Sequence, residues 1–430
     1  MKTLRLLAAA TALIALTTNV AVHAGEPRKA KASKMLPIPQ LKTDVLGGVA
    51  SPSAEKLAAM QKGQYILHAR AGRITKVSAQ KSRLPHDPEG HIQILATALS
   101  PQDEHTVYVN QGSLMCKSTD DGRTWTSYPC GDWGGQVHQG AFQILGDGRF
   151  ITVTGKEGGV RAEVSISSDE GRTWRRFSQI NMPTQPRRYL YFWTYGIVRL
   201  PNGTLLCAVL ASNAKDGEHG KGLGGTTSRL LAYRSTDDGK TWQGPSTVAD
   251  WSGEGGIVRT ASGKLLAVLR YQRNLLPDDP PDLAIRTGSG PGHYPYKHLF
   301  LADSDDDGLS WKNFRQLTTV FGQSFGFPAA LDDGTVVVVR TDGYKPNRNG
   351  QAMISYDEGQ TWEDEAYYIY APSVRKMGHA GYSQSVVLAD DLILTIAGTS
   401  DYGPCLNSWD ACLGKSDLTA IRWKPERKEE

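Results

Sequence analysis

The chain has 430 residues, with 48 Lys and Arg against 44 Asp and Glu, for a formal net charge of +4. That excess is too small for the clustered basic footprint of a nucleic-acid binder. The length exceeds one ordinary compact core, so the core must be divided among subunits of structure.

Met1–Ala24 reads as a secretory signal. Lys2 and Arg5 form a charged start, Leu6–Leu16 an apolar run, and Val22-His23-Ala24 a small-residue cleavage site. The apolar run is too short to span a bilayer, and no later run of suitable length is uncharged. A secreted or periplasmic location is expected, with no membrane span and no lipid anchor. Removing Lys2 and Arg5 lowers the net charge to +2. Residues 25–62 read as a basic tether and N-terminal segment, and 63–426 as the folded domain. Of five cysteines, Cys116 and Cys130 suggest a cross-strand disulfide, Cys405 and Cys412 a small closed loop, and Cys207 a buried thiol. No C-x-x-C spacing occurs, so no metal, cofactor or redox centre is expected.

One phrase, S-x-D-x-G-x-[ST]-W, occurs five times. Its Asp residues are Asp120, Asp169, Asp237, Asp306 and Asp357, at spacings of 49, 68, 69 and 51. Each copy lies between apolar strand-like runs and reads as a hairpin turn. Asp accepts backbone N–H groups, Gly supplies the φ > 0 position, and Trp wedges between neighbouring sheets. The period is too long for a solenoid and suits four-stranded propeller blades. A fainter strand–turn–strand unit starts near His91, His138, Thr194, Glu254, Phe325 and Tyr382. Six such units predict an all-β, six-bladed β-propeller of four-stranded antiparallel blades. The sixth blade lacks the phrase. Its outer part is assigned to Leu418–Lys424, completed by an N-terminal strand around Gln64–Ser78.

In an up-and-down meander, successive turns alternate between the two faces. The five phrases, as turns between third and fourth strands, share a face with the first-to-second turns. The starts of the inner strands and the second-to-third loops lie on the other face. That face receives the long insertions Ser212–Thr227 and Gln272–Tyr296, where function concentrates. It also collects Glu254, Arg270, Arg348 and Tyr382. Two arginines can clamp a carboxylate. A phenol can attack an anomeric carbon once Glu takes its proton, without being repelled by the substrate's own charge. His91 and His138 are further catalytic candidates. Trp193 and Tyr195 offer a sugar-stacking platform, and Arg340 competes with Arg348. Asp303-x-Asp305-x-Asp307-Gly308 imitates the start of a calcium loop, but position twelve is Phe314 and calcium is not expected.

The repeated phrase resembles the Asp box of the sialidase superfamily. The resemblance covers most of the chain after about residue 90. It implies that Glu254 and Arg270, sixteen positions apart, match that family's Glu and Arg across one hairpin. Tyr382-Ser383 matches its tyrosine near the final blade, and Arg348 its third arginine. The N-terminal half departs from the pattern. Gly90-His91-Ile92-Gln93-Ile94 stands where the family has its first arginine. Asn110-Gln111-Gly112 lacks the acid/base aspartate. His91 replaces the arginine, and Glu157, Asp216, His138 and Asp401 are candidates for the acid.

The resulting expectation is a monomeric glycoside hydrolase acting on an acidic glycan and removing a terminal sialic acid or a relative. Two other readings fit the altered site: a lyase or unusual glycosidase acting on uronic-acid glycans, and a glycan-binding propeller without catalysis.

Overall fold

A computed structural model describes residues 51–85, 96–111, 114–131, 141–155, 161–182, 191–213, 227–273, 296–318, 323–342, 349–370, 383–399 and 417–426. The chain opens with helix α1, Ala54–Lys62. Ser53 caps it by accepting from the Lys56 N–H at 3.3 Å. Its buried Leu57 and Met60 pack on Leu67, Ala69, Ala366 and Tyr368.

The other long elements among the described residues are strands. The first six are β1 (Tyr65–Arg70), β2 (Arg73–Leu84), β3 (Ala96–Leu99), β4 (Val107–Asn110), β5 (Leu114–Ser118) and β6 (Thr126–Pro129). There follow β7 (Ala141–Ile144), β8 (Phe150–Thr154), β9 (Arg161–Ser167) and β10 (Arg175–Asn181). The next group is β11 (Tyr191–Arg199), β12 (Leu205–Asn213), β13 (Thr227–Ser235) and β14 (Gln243–Asp250). Then come β15 (Ser252–Arg259), β16 (Leu265–Arg273), β17 (Tyr296–Ser304) and β18 (Lys312–Gln316). The last are β19 (Gln323–Ala330), β20 (Val336–Asp342), β21 (Asn349–Ser355), β22 (Glu365–Tyr370), β23 (Gln384–Leu388), β24 (Leu392–Thr399) and β25 (Asp417–Trp423).

Strands β3 to β18 form four separate four-stranded antiparallel sheets in chain order. The remaining strands form one nine-stranded sheet in the order β19-β20-β21-β22-β1-β2-β25-β24-β23. The expectation of six four-stranded blades is therefore corrected to four blades and one nearly closed nine-stranded sheet. The cause lies in the N-terminal segment, which folds as a hairpin rather than a single strand. β2 is twelve residues long and pairs twice. Arg73–Ser78 faces β1, whereas Ala79–Leu84 faces Leu418–Trp423 of β25. β1 in turn pairs with β22, from Leu67↔Tyr368 to Arg70↔Glu365. Buried His68 fastens that seam. Its Nε2 lies 3.0 Å from Glu365 Oε2, and its ring stacks on Tyr367 at 4.2 Å.

The repeated phrase forms the turn between the third and fourth strands of each four-stranded blade and, in its fifth copy, between β21 and β22 of the nine-stranded sheet. In every copy the Ser Oγ accepts the Gly N–H at 2.8–2.9 Å and donates to Asp Oδ1 at 2.7–2.8 Å. The Thr or Ser hydroxyl donates to Asp Oδ2 at 2.5–2.6 Å. Two successive residues adopt positive φ. They are the residue after Asp, at 54–57°, and the Gly, at 78–84°. The Gly is required for a second reason. A Cβ on Gly122, Gly171, Gly239, Gly308 or Gly359 would press on Leu394, Met115, Ile151, Leu206 or Leu266 of the adjoining sheet. Ser82, Ser178 and Ser246 also donate to the carbonyls of Gly122, Gly239 and Gly308.

These turns share a face with the first-to-second turns. Arg149 Nη2 lies 3.8 Å from Asp238, and Asn202 Nδ2 donates to Asp307 at 3.2 Å. The Ser262 N–H donates to Glu358 at 2.6 Å.

The expected Cys116–Cys130 disulfide does not form. Cys116 stands opposite Ser127 and accepts from Gln111 Nε2 at 2.9 Å, whereas Cys130 donates to Gly171 O at 3.3 Å. Cys207 is a fully buried free thiol. Cys405 and Cys412 lie outside the described residues.

Two outcomes test this account. Gly239→Ala adds a Cβ that overlaps Ile151 at a φ of 82°. It is expected to cost about 1–3 kcal/mol in chemical denaturation; an unchanged midpoint removes the packing argument. The second outcome concerns acid. The Thr173 hydroxyl outweighs desolvation at Asp169 and, with Ser167 and the Thr173 N–H, holds the carboxyl at about 2. At Asp120 and Asp306 desolvation pulls upward, but the same kinds of hydrogen bond win and leave each at about 2. Carboxyls depressed in the folded state contribute stability that is complete above about pH 4 and drains away as pH falls toward 2. Acid titration of unfolding is expected to be shallower over that window for Asp169→Asn than for the parent.

Candidate functional site

The inner strands β3, β7, β11, β15, β19 and β23 surround an axial channel. Thr97, Phe142, Tyr195, Gly256, Phe327 and Gln384 line it, one from each strand. Cross-links hold the ring together. Gln384 Oε1 accepts the Thr97 N–H at 2.8 Å, Gln143 Nε2 donates to Ile197 O at 3.1 Å, and Thr194 Oγ1 donates to Val153 O at 2.7 Å.

Three consecutive inner strands break register at the same place, near their starts. The shift falls between Thr194 and Gly196 in β11, between Gly253 and Gly255 in β15, and between Ser324 and Phe327 in β19. The extra residues are Tyr195, Glu254 and the pair Phe325-Gly326. A bulge re-aims a side chain that regular alternation would place on the flank of the blade. In each strand a Gly follows or completes the bulge. At Gly255 the reason is steric, because a Cβ there would overlap the Val268 carbonyl. Glu254 itself sits at φ 29°, a conformation costly for a residue with a side chain. Strain of this kind is held by its surroundings and marks a position worth functional attention.

Glu254 is 5% exposed, and Arg270 on β16 is 8% exposed. Arg270 Nη1 lies 2.5 Å from Glu254 Oε2, in close charge contact. Gly253 stands opposite Arg270 in the ladder, so the bulge brings the next side chain onto the guanidinium. Glu254 and Arg270, which the sequence places on facing strands of one hairpin, are thus in contact. Removal of two charges from water is tolerated because each compensates the other.

Arg340 occupies a related place one sheet further on. It is fully buried on β20 opposite Gln351, and its Nη2 donates to Gln351 Oε1 at 2.6 Å. Strand alternation puts Arg270 in register with Leu266 and Val268, and Arg340 with Val336 and Val338. Those four residues belong to one apolar layer shared by the two sheets. The two arginines therefore prolong that layer from opposite sides, at its end nearest the inner-strand starts. Sequence reading held Arg340 only as a competitor of Arg348. The signal for the bulges was present as Tyr195-Gly196, Glu254-Gly255 and Phe325-Gly326, but three spaced dipeptides carry little weight before the strands are aligned.

Tyr195, expected as a stacking platform, is 2% exposed and lines the channel from its bulge. The backbone of Trp193 lies in β11 opposite Leu210. Tyr382, His91, His138, Arg348, Glu157, Asp216 and Asp401 lie outside the described residues. Among the described residues, no group of three or more His, Cys, Asp or Glu is placed to hold a metal, and no helix is long and apolar enough to cross a membrane.

No family model matches the chain, and no curated protein matches it. Solved structures do share its fold. A Dyadobacter fermentans protein of unknown function aligns with a TM-score of 0.55 at 15% identity, over 80% of this chain and 98% of that one. An α-L-arabinofuranosidase from Fusarium graminearum aligns at 0.53 and 16%, over 80% and 97%. A Hadza microbial sialidase aligns at 0.53 and 14%, over 84% and 73%. The fold is therefore that of the sialidase-like propellers, a scaffold shared by proteins of different activity.

The ion pair makes a prediction of its own. Arg270→Ala leaves Glu254 charged and buried, and should destabilise the protein by about 3–5 kcal/mol at neutral pH. Adding Glu254→Gln should restore part of that loss. A double-mutant cycle in denaturant with no coupling would show that the two side chains do not depend on each other.

Proposed function

We propose that the protein is a secreted glycoside hydrolase that removes a terminal acidic sugar, sialic acid or a relative. The observation that carries this reading is the buried Glu254–Arg270 pair, held by a strained bulge two residues before the channel-lining Gly256. A buried Arg beside the start of an inner strand is suited to receive a carboxylate through parallel N–H bonds. A carboxylate within the same site is suited to take a proton. The likeness to solved glycosidases, though confined to the fold, agrees with a hydrolytic use of this scaffold.

In the proposed reaction Arg270 and Arg348 bind the sugar carboxylate. Glu254 takes the phenolic proton of Tyr382 as its oxygen bonds to the anomeric carbon. The glycosidic bond breaks, and its electron pair leaves with the aglycone oxygen. That oxygen receives a proton from a general acid among His91, His138, Glu157, Asp216 and Asp401. Water then releases the sugar from Tyr382 and the proton returns. A phenol is a better nucleophile here than a carboxylate, which the substrate's own charge would repel.

The test is a substrate screen with product analysis, covering sialosides, uronosides and α-L-arabinofuranosides. Release of an acidic sugar is expected, and Tyr382→Phe should lower kcat by about a thousandfold or more. Cleavage of the neutral arabinosides alone would remove the acidic-sugar assignment. Unchanged turnover by Tyr382→Phe would remove the nucleophile. An ultraviolet-absorbing unsaturated uronate among the products would assign a lyase instead.

A further inference from the structure

Arg270 already holds a carboxylate. Glu254 Oε2 lies 2.5 Å from Nη1, with both side chains at most a tenth exposed. An incoming sugar carboxylate that binds side-on needs a whole edge of the guanidinium, two N–H groups at once. Two carboxylates on one buried guanidinium would repel each other strongly, because little water screens them. The arrangement of Glu254 adds to this. It is carried on a bulge at φ 29° with glycine at 253, 255 and 256. No neighbouring side chain of its own strand stands beside it.

From this geometry we infer that Glu254 is an internal substitute for the substrate's carboxylate. It occupies Arg270 in the empty site and is displaced when an acidic sugar binds. The inference rests on the acidic-sugar reading above and deepens it. Displacement has a consequence for selection. Glu254 held against Arg270 has its carboxylate engaged by the guanidinium and is not free to take the Tyr382 proton. Once the sugar carboxylate takes over the guanidinium, Glu254 loses that partner and its carboxylate is free to accept a proton. A neutral sugar offers nothing to exchange and leaves Glu254 locked. The pair then acts as a specificity filter: acidic substrates switch on the base by binding, and neutral sugars of similar shape do not. The same exchange limits affinity, since each acidic ligand must first break the internal pair.

The experiment is a calorimetric binding measurement on the full folded chain. The probes are N-acetylneuraminic acid and D-galacturonic acid, with neutral D-galactose as the control. Glu254→Gln removes the competing charge while keeping the shape. It should bind whichever acid the parent binds about tenfold more tightly, with affinity for galactose changed less than twofold. Glu254→Asp keeps the charge and shortens the reach to Arg270. It should tighten acid binding in the same direction by a smaller factor, and it covers the case in which Glu254→Gln does not fold. Thermal unfolding of both variants verifies that they are folded. Acid binding by the parent that is unchanged or weaker in the variants overturns the exchange and leaves the acidic-sugar reading standing. Absence of acid binding by the parent and both variants overturns the reading and the exchange together.

Discussion

The turn built from Ser, Asp, Gly, Thr or Ser, and Trp is the constraint on which the rest of the structure depends. Its Asp closes the hairpin by accepting a hydroxyl and backbone N–H groups, and its Gly packs against the adjoining sheet where no Cβ fits. Each turn thus joins a strand pair and locks one sheet to the next. Five such locks set the spacing of the sheets and assign the two faces. The locked face carries the hairpins, and the opposite face carries the starts of the inner strands. An ion pair buried beside the axis is possible because the scaffold beneath it is held by these turns.

The second constraint is closure. A ring of sheets must join its two chain ends or leave exposed edges. Here an N-terminal hairpin inserts between β22 and β25, and its longer strand pairs with a different neighbour along each half. His68, Glu365 and Tyr367 bind the seam from within. The result is a continuous sheet where an additional blade would otherwise end, and α1 covers part of it.

The site shows how a repeated fold acquires an individual function. β11, β15 and β19 all carry a bulge near their starts, yet the bulge presents Tyr195 in one strand and Glu254 in the next. The scaffold supplies a position and an orientation, and the residue type supplies the chemistry. Glu254 meets a buried cation because the strand partner of the preceding Gly is Arg270. The strain at Glu254 persists because glycines flank it and the ion pair holds its side chain.

The sequence by itself determined the repeat, its turn chemistry and the placement of Glu254 and Arg270 on facing strands of one hairpin. Each of these is written locally, as turn residues at fixed offsets or as two positions across one hairpin. Opposite strands of a hairpin must meet, so the turn places the two positions on adjacent strands, and the bulge at Glu254 then brings the side chains together. The expected Cys116–Cys130 bridge shows the limit of that logic. A near-symmetric placement around a turn does not make two residues ladder partners, and Cys116 faces Ser127 instead. Tertiary structure alone decided the join between β1 and β22, the nine-stranded sheet, and the burial of Arg340 beside the layer that Arg270 prolongs. These arise from contacts between segments far apart in the chain, and nothing in the local pattern distinguishes a strand that completes one sheet from a hairpin that unites two.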